Sequence, residues 1–161
     1  MTNKVHLLLG TNLGDKLQNL GNASHLIKVR AGNIISQSKV YKTEPWGNTD
    51  QDEFYNQVLV VESELTPKNL LQELLSIERE LGRIRHKKWG ERLIDIDILY
   101  YGSMVINDKD LIIPHPEIPN RRFTLVPLVE IDKDFTHPIL LKTNDQLLKI
   151  CNDPLNVLSI D

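Results

Sequence analysis

The chain has few of the residues and runs that mark secreted, disulfide-stabilised or membrane proteins. Cysteine occurs once, at Cys151, so no disulfide can form within the chain. A lone thiol is unusual in a secreted protein, and we therefore expect a cytoplasmic location. The apolar run Val5 to Leu9 is shorter than a signal peptide or a membrane span, so we expect neither.

Aromatic residues and net charge are also low. Aromatics make up 6% of the 161 residues, and the formal net charge is -3, so the chain as a whole is not a basic nucleic-acid binder. Internal repeats and low-complexity segments are absent. The hydrophobic fraction of 40% is sufficient for one core, and we expect residues 1–161 to form a single domain.

An alternating apolar segment places two carboxylates close together. Within Leu93 to Leu99, isoleucine occupies positions 94, 96 and 98, and Asp95 and Asp97 lie between these isoleucines. Because alternate strand residues share a face, these carboxylates lie on one side, separated by ~6.6 Å of strand rise. Paired carboxylates can bind divalent ions for phosphate chemistry. The polar face of an edge strand is the alternative interpretation.

A basic segment directly precedes this strand. Arg83, Arg85 and the run His86 to Lys88 are followed by Trp89 and Arg92. Since the net charge is negative, the cationic segment is local, and a local anion should bind it. An oligophosphate held between basic side chains and metal-binding carboxylates fits both features. A solvated charge run or a nucleic-acid patch would leave the acidic pair unexplained.

Hydrophobic periodicity and capping residues predict the order strand, helix, strand, strand, helix, strand, followed by further helices. This order is typical of the split βαβ unit of a ferredoxin-like α+β fold, with helices packed on the sheet and an extra C-terminal helix. The predicted segments are strand 5–9, helix 16–31 capped by Asp15, strands 34–43 and 54–62, helix 67–81 capped by Thr66, strand 95–101, short strands near Val105 and Ile112, a helix near 125–131, and a helix capped by Thr143 and Gln146.

The chain resembles the 6-hydroxymethyl-7,8-dihydropterin pyrophosphokinases of folate biosynthesis. The resemblance is carried by Lys88 to Leu99, Gly10 to Asp15, Tyr41 to Trp46, Gln51 to Asn56, Gly82 to Arg85, Pro114 to Pro116 and Arg121 to Leu128. It also implies a ferredoxin-like core. Departures from the usual family pattern occur at Thr11, Asp52, Glu91 and Leu93, beside the expected site residues.

This resemblance implies transfer of pyrophosphate from ATP, as co-substrate, to the hydroxymethyl group of the pterin, with two Mg²⁺ ions held by Asp95 and Asp97. Arg83 and Arg92 are the implied catalytic arginines, with Asp95 and Asp97 the catalytic carboxylates. The implied ATP-binding residues are Arg83, Arg85, Trp89, Arg92, Ile98, His115 and Arg121. The implied pterin-binding residues are Thr43, Pro45, Trp46, Phe54, Asn56, Asp95 and Phe123.

Some of these residues have simpler interpretations. Phe54 and Phe123 fit an ordinary core, and His115 fits a structural turn. Glu78, on the apolar side of its helix, is either a buried carboxylate paired with an arginine or a residue that orients Arg83 or Arg92. Gly10 is expected to shape the turn after the first strand.

Two other functions remain open from the residues alone. Another two-metal enzyme, such as a nucleotidyltransferase or a phosphohydrolase, could share the strand with paired aspartates. A ferredoxin-like nucleic-acid binder usually stacks bases on aromatic-rich strands, whereas this strand carries aspartates. We expect small-molecule substrates, no nucleic acid and no membrane partner, while contact with a dihydropteroate synthase is undecided.

Overall fold

The computed structural model of the chain describes residues 2–43, 53–82 and 93–160. Its elements are β1 (Asn3–Thr11), α1 (Lys16–Arg30), β2 (Asn33–Gln37), β3 (Tyr41–Thr43), β4 (Phe54–Ser63), α2 (Pro67–Glu80), β5 (Asp95–Tyr101), β6 (Ile106–Asn107), β7 (Ile112–Ile113), a 3-10 turn (Ile118–Asn120), α3 (Arg122–Asp132), α4 (Asn144–Ile150) and β8 (Val157–Ser159). Within these ranges, no helix is long and apolar enough to cross a membrane.

The main sheet has the strand order β5-β1-β4-β3-β8, and β2 also pairs with β4. β1 lies between β4 and β5 and is antiparallel to both. This order confirms the predicted ferredoxin-like α+β fold. As a result, the C-terminal end of β1 lies beside the N-terminal ends of β4 and β5, where the predicted site residues occur.

Both faces of the sheet are covered. One apolar cluster joins the sheet to α1 and α2 and includes Leu7, Leu9, Ile27, Leu74 and Ile96. On the other face, the second cluster joins the sheet to α3 and α4 and contains Leu8, Val58, Leu99, Tyr100, Ile118, Leu125, Leu128 and Leu147. The face toward α3 and α4 is called the site face below, because Asp95 and Asp97 lie on it.

Helix starts follow the predicted capping. The Asp15 carboxylate accepts from the Gln18 N–H at 3.2 Å, and Thr66 Oγ1 accepts from the Asn69 N–H at 3.2 Å. At α4 the Thr143 and Gln146 side chains form a reciprocal capping box. Each such cap contributes about 1 kcal/mol to helix stability.

Several element boundaries differ from the sequence prediction, and one strand was not predicted. The predicted strand 34–43 is divided, because Ser38 turns its Oγ to the Val58 N–H at 2.9 Å between β2 and β3. Helix α3 begins at Arg122 rather than near Leu125. Strand β8 was not predicted, since its pairing with β3 is a long-range contact that local periodicity does not encode.

A buried polar cluster holds β1 to the end of α3. His6 is fully buried, and its Nε2 lies 2.7 Å from Asp132 Oδ2, which Lys4 Nζ also contacts at 2.8 Å. The hydrogen bond from His6 lowers the pKa of Asp132 to about 2. Burial lowers the pKa of His6, so the imidazole is neutral and donates from Nε2. The protein therefore folds around an uncharged histidine.

We expect stability to fall as the pH falls below about 6.5, because protons then bind the unfolded chain more readily than buried His6. The free energy of unfolding should drop by about 1 kcal/mol between pH 7 and pH 5.5 from this group. Urea unfolding at several pH values measures it. The unfolding free energy should change less with pH in His6→Gln than in the control His25→Gln, whose histidine is exposed. An equal pH dependence in the two variants would show that His6 is not the group responsible. A second loss, from Asp132, should follow between pH 3.8 and about 2.

Candidate active site

Neighbouring strands place four residues in one row across the site face. Asp95 pairs with Gly10, Gly10 pairs with Asn56, and Asn56 pairs with Tyr41. Directly opposite pairs in antiparallel strands have their side chains on the same face. An acidic group at one end of the row and a buried amide in the middle therefore share one surface.

Asp95 and Asp97 are half-buried, while Ile94, Ile96 and Ile98 pack into the cluster beneath α1 and α2. The predicted division of β5 into an acidic and an apolar face is thus observed. A register shift in the β1–β5 pairing, opposite His6 and Leu7, lies farther along the strand. Beyond the aspartates, Leu99 and Tyr100 continue the site face, and α3 and α4 cover them.

The carboxylate pair is suited to Mg²⁺ whose remaining coordination positions are filled by water and a polyphosphate. In the described ranges, no group of three or more His, Cys, Asp or Glu side chains could hold a metal by itself. Mg²⁺ usually keeps several waters and binds through one or two carboxylates together with substrate phosphates. Asp95 and Asp97 supply that number of ligands on one face.

His115 follows β7 and lies next to the acidic pair. Its backbone N–H donates to the Leu99 carbonyl at 2.9 Å, and its Nδ1 accepts from the Glu117 N–H at 3.1 Å. Burial lowers the pKa of His115, and the nearby charges of Asp97 and Arg121 act in opposite directions. The neutral ring therefore carries its proton on Nε2, which serves as a hydrogen-bond donor.

Arg121 and Phe123 lie together at the start of α3. The Arg121 guanidinium carbon is 5.5 Å from the centre of the Phe123 ring, a cation–π distance. The Arg122 N–H donates to the Asp153 carboxylate at 3.0 Å, which anchors this helix start. A cationic group and an aromatic face are thus presented by one short segment, and the positive charge of Arg121 acts on His115 by lowering its pKa.

Two buried polar atoms on the site face lack a partner within the described part of the chain, Thr43 Oγ1 and Asn56 Oδ1. Their residues are 2% and 5% exposed. Within the described ranges, Asn56 Nδ2 makes one long hydrogen bond, 3.4 Å, to the Leu9 carbonyl. Because an unsatisfied buried polar group costs roughly 1–3 kcal/mol, a ligand that satisfies both atoms would be stabilised by them.

The family profile of 7,8-dihydro-6-hydroxymethylpterin-pyrophosphokinase (HPPK) matches residues 6–133. The chain belongs to this family. It is 45% identical over 132 residues to the 2-amino-4-hydroxy-6-hydroxymethyldihydropteridine pyrophosphokinase of Methylorubrum extorquens, covering 81% of this chain and 84% of that protein. The identically named protein of Bacillus subtilis is 39% identical over 132 residues, with 81% and 79% covered.

A solved structure shares the fold of this HPPK chain. Plasmodium falciparum HPPK-DHPS in complex with STZ-DHP superposes with a TM-score of 0.77 at 19% identity, covering 92% of this chain. This chain spans 43% of that longer protein. At such low identity the structural similarity establishes the fold.

Family membership gives the reaction. HPPK enzymes transfer pyrophosphate from ATP to the hydroxymethyl group of the dihydropterin in folate biosynthesis, and this chain is such an ATP-dependent pyrophosphokinase. The predictions of family, activity and co-substrate made from the motifs are therefore confirmed.

The structure brings most of the described HPPK candidates onto the site face, with Ile98 and Glu78 as the exceptions. The Ile98 side chain packs beneath α1 and α2, so contact with ATP would have to involve its backbone on the outer edge of β5. Glu78 reaches the backbone of β5 from α2. The other candidates, Arg83, Arg85, Trp89, Arg92, Pro45 and Trp46, lie outside the described residues.

Gly10 has a different role from the one expected from sequence. It lies within β1, where a Cβ would approach Asn56 Nδ2 to 2.7 Å, so the glycine makes room for the Asn56 side chain. Gly10 therefore does not belong to the following turn, as the sequence had suggested, although the close approach expected at this glycine is present. A glycine inside a buried strand was the available signal, since it often marks a close approach.

Proposed function

We propose that the site face of this HPPK domain, residues 1–161, is where ATP and the pterin react. The observation that carries the proposal is that Thr43 Oγ1 and Asn56 Oδ1 are unsatisfied on the same face as the aspartate pair. A pterin edge offers amide and amine groups that can satisfy both. Asp95 lies in the same row as Asn56 and contributes to both the pterin subsite and the ATP subsite.

The pterin ring binds between Phe54 and Phe123, with Thr43, Pro45, Trp46 and Asn56 around its edge. Phe54 is half-buried on the site face, and within the described part of the chain it belongs to neither apolar cluster. Phe123 only borders the second cluster. Both rings therefore retain aromatic surface for a flat ligand, which supports this role over that of ordinary core residues.

The triphosphate of ATP binds on the side of the aspartates. His115 donates from Nε2 and Arg121 supplies positive charge, while Arg83, Arg85, Trp89, Arg92 and Ile98 complete the ATP subsite. Guanidinium groups suit this role because their paired donors match phosphate oxygens. Arg83 and Arg92 stabilise the charge that moves to the leaving AMP.

Asp95 and Asp97 would hold two Mg²⁺ ions, which neutralise phosphate charge and acidify the substrate hydroxyl. The protein residues place the hydroxymethyl oxygen in line with the β-phosphorus. The new O–P bond forms there as the bond between the β-phosphorus and the α,β-bridging oxygen breaks, the hydroxyl proton is released to solvent water, and AMP leaves. Fixing both substrates on one rigid sheet supplies the orientation that a two-substrate reaction needs.

We further propose a cytoplasmic location and function without nucleic acid or a membrane partner. The residues that face the site are suited to small, flat and phosphorylated molecules. Contact with a dihydropteroate synthase is a separate question, which analytical ultracentrifugation of the two proteins would address.

The test is to incubate the protein with ATP, Mg²⁺ and 6-hydroxymethyl-7,8-dihydropterin and to quantify the products. We expect AMP and pterin diphosphate in equal amounts, dependent on both Mg²⁺ and pterin. Release of ADP, or of phosphate without pterin, would favour the phosphohydrolase alternative. Labelled RNA in place of pterin is the control for nucleic-acid binding.

A further inference from the structure

Strand β5 forms one edge of the main sheet in the part of the chain that is described. The backbone groups on the outer side of an edge strand have no neighbouring strand to bind. Ile96 lies between the two aspartates, and its N–H donates to Glu78 Oε2 at 2.6 Å. The Glu78 side chain therefore takes the place of a neighbouring strand at Ile96, the residue between the two aspartates.

Glu78 is costly to place where it is. It is 5% exposed in the last turn of α2, on the same buried side as Leu70, Leu74 and Ile77. Burying a carboxylate carries a large desolvation penalty unless strong hydrogen bonds compensate. A leucine would continue the apolar face without this desolvation penalty, so core packing alone does not explain a glutamate at position 78.

The same region joins the end of α2 to the start of β5. A Cβ on Gly82, which has φ +87°, would lie 3.4 Å from Leu93 Cδ1, so Leu93, in the segment that leads into β5, packs against the turn after α2. Glu78 adds a polar contact to this apolar one. The polar contact of Glu78 and the apolar contact of Leu93 together fix the position of β5 along the axis of α2.

We infer that Glu78 is a positioning residue for the metal-binding carboxylates. By fixing the peptide group of Ile96, it fixes the directions in which the Asp95 and Asp97 side chains leave the backbone on the opposite face. The inference rests on the proposed role of Asp95 and Asp97. It differs from an interaction of Glu78 with an arginine, because it acts through the β5 backbone.

The test compares Glu78→Gln, Glu78→Asp and Glu78→Leu with the control Leu70→Ala, which removes a core side chain two turns earlier in α2. Two quantities are measured: the Mg²⁺ concentration for half-maximal velocity, and amide exchange of the Ile96 N–H by NMR in the ligand-free protein. Exchange is read without substrate, so it is independent of activity.

We expect Glu78→Leu to raise the half-maximal Mg²⁺ concentration at least tenfold and to speed Ile96 exchange at least tenfold. Glu78→Gln, which keeps an acceptor oxygen, should stay within about threefold of wild type, as a charge-assisted bond becomes a neutral one. Glu78→Asp cannot reach Ile96 and should resemble Glu78→Leu, so it supplies the answer if the leucine variant does not fold. Leu70→Ala should lower stability but leave the Mg²⁺ requirement unchanged.

An unchanged Mg²⁺ requirement in Glu78→Asp and Glu78→Leu would overturn the inference. Unchanged exchange of the Ile96 N–H together with a reduced kcat would also overturn it, because Glu78 would then act through an arginine and not through the β5 backbone. Asp97→Asn separates this failure from failure of the proposed site. If Asp97→Asn alters the Mg²⁺ requirement and the Glu78 variants do not, only the inference about Glu78 is wrong. If neither does, the metal assignment is wrong as well.

Discussion

Asp97→Ala is expected to lower kcat by about a thousandfold or more, equivalent to ~4 kcal/mol of transition-state stabilisation, because one of the carboxylates that position Mg²⁺ is lost. The fold should survive, since Asp97 is half-buried on the site face and does not belong to either apolar cluster. Single-turnover measurement of AMP formation at saturating ATP, pterin and Mg²⁺ gives the rate. Thermal unfolding checks the fold.

The matched control for this variant is Asp110→Ala, an exposed aspartate in the turn between β6 and β7. It should retain full activity. A folded Asp97→Ala protein with near wild-type, magnesium-dependent turnover would contradict the metal assignment. It would leave the pterin subsite untested, so the next variant addresses that part of the site separately.

Asn56→Ala is expected to weaken pterin binding about a hundredfold, since loss of two to three buried hydrogen bonds of roughly 1 kcal/mol each gives that effect. ATP affinity should change little. The stability of the free protein should fall less than for most core truncations, because the variant also removes the unsatisfied Oδ1 atom. Equilibrium pterin titration in the presence of a non-hydrolysable ATP analogue measures the affinity.

Gly10→Ala offers an independent route to the same amide. Its new methyl group would meet Asn56 Nδ2 at 2.7 Å and would displace the side chain. We therefore expect Gly10→Ala to weaken pterin binding too, and the double variant with Asn56→Ala to be no worse than the single ones. Additive losses would show that Gly10 acts independently of Asn56. Asn107→Ala, at an exposed strand position, is the control.

The sequence was most informative where a local pattern decides the structure. Alternation placed Asp95 and Asp97 on one face, and the capping residues Asp15, Thr66 and Thr143 marked helix starts that the structure contains. These features depend on neighbours within a few residues. Capping and periodicity therefore suffice to predict them.

Features that depend on strand register could not be predicted in this way. The space that Gly10 leaves for Asn56 follows from the pairing of β1 with β4, and Glu78 reaches Ile96 only because α2 packs beside β5. Leu93, which departs from the usual family pattern, places its methyl groups 3.7 Å and 3.4 Å from where a Cβ would lie on Gly14 and Gly82. Each is a contact between segments distant in sequence.

A crystal structure with a non-hydrolysable ATP analogue, Mg²⁺ and the pterin would show directly whether the two substrates meet on the site face. We expect the pterin between Phe54 and Phe123, with its edge hydrogen-bonded to Thr43 Oγ1 and Asn56 Oδ1, and Mg²⁺ bound by Asp95 and Asp97. A pterin bound elsewhere, with Thr43 Oγ1 and Asn56 Oδ1 still unsatisfied and no metal at the aspartates, would contradict this expectation.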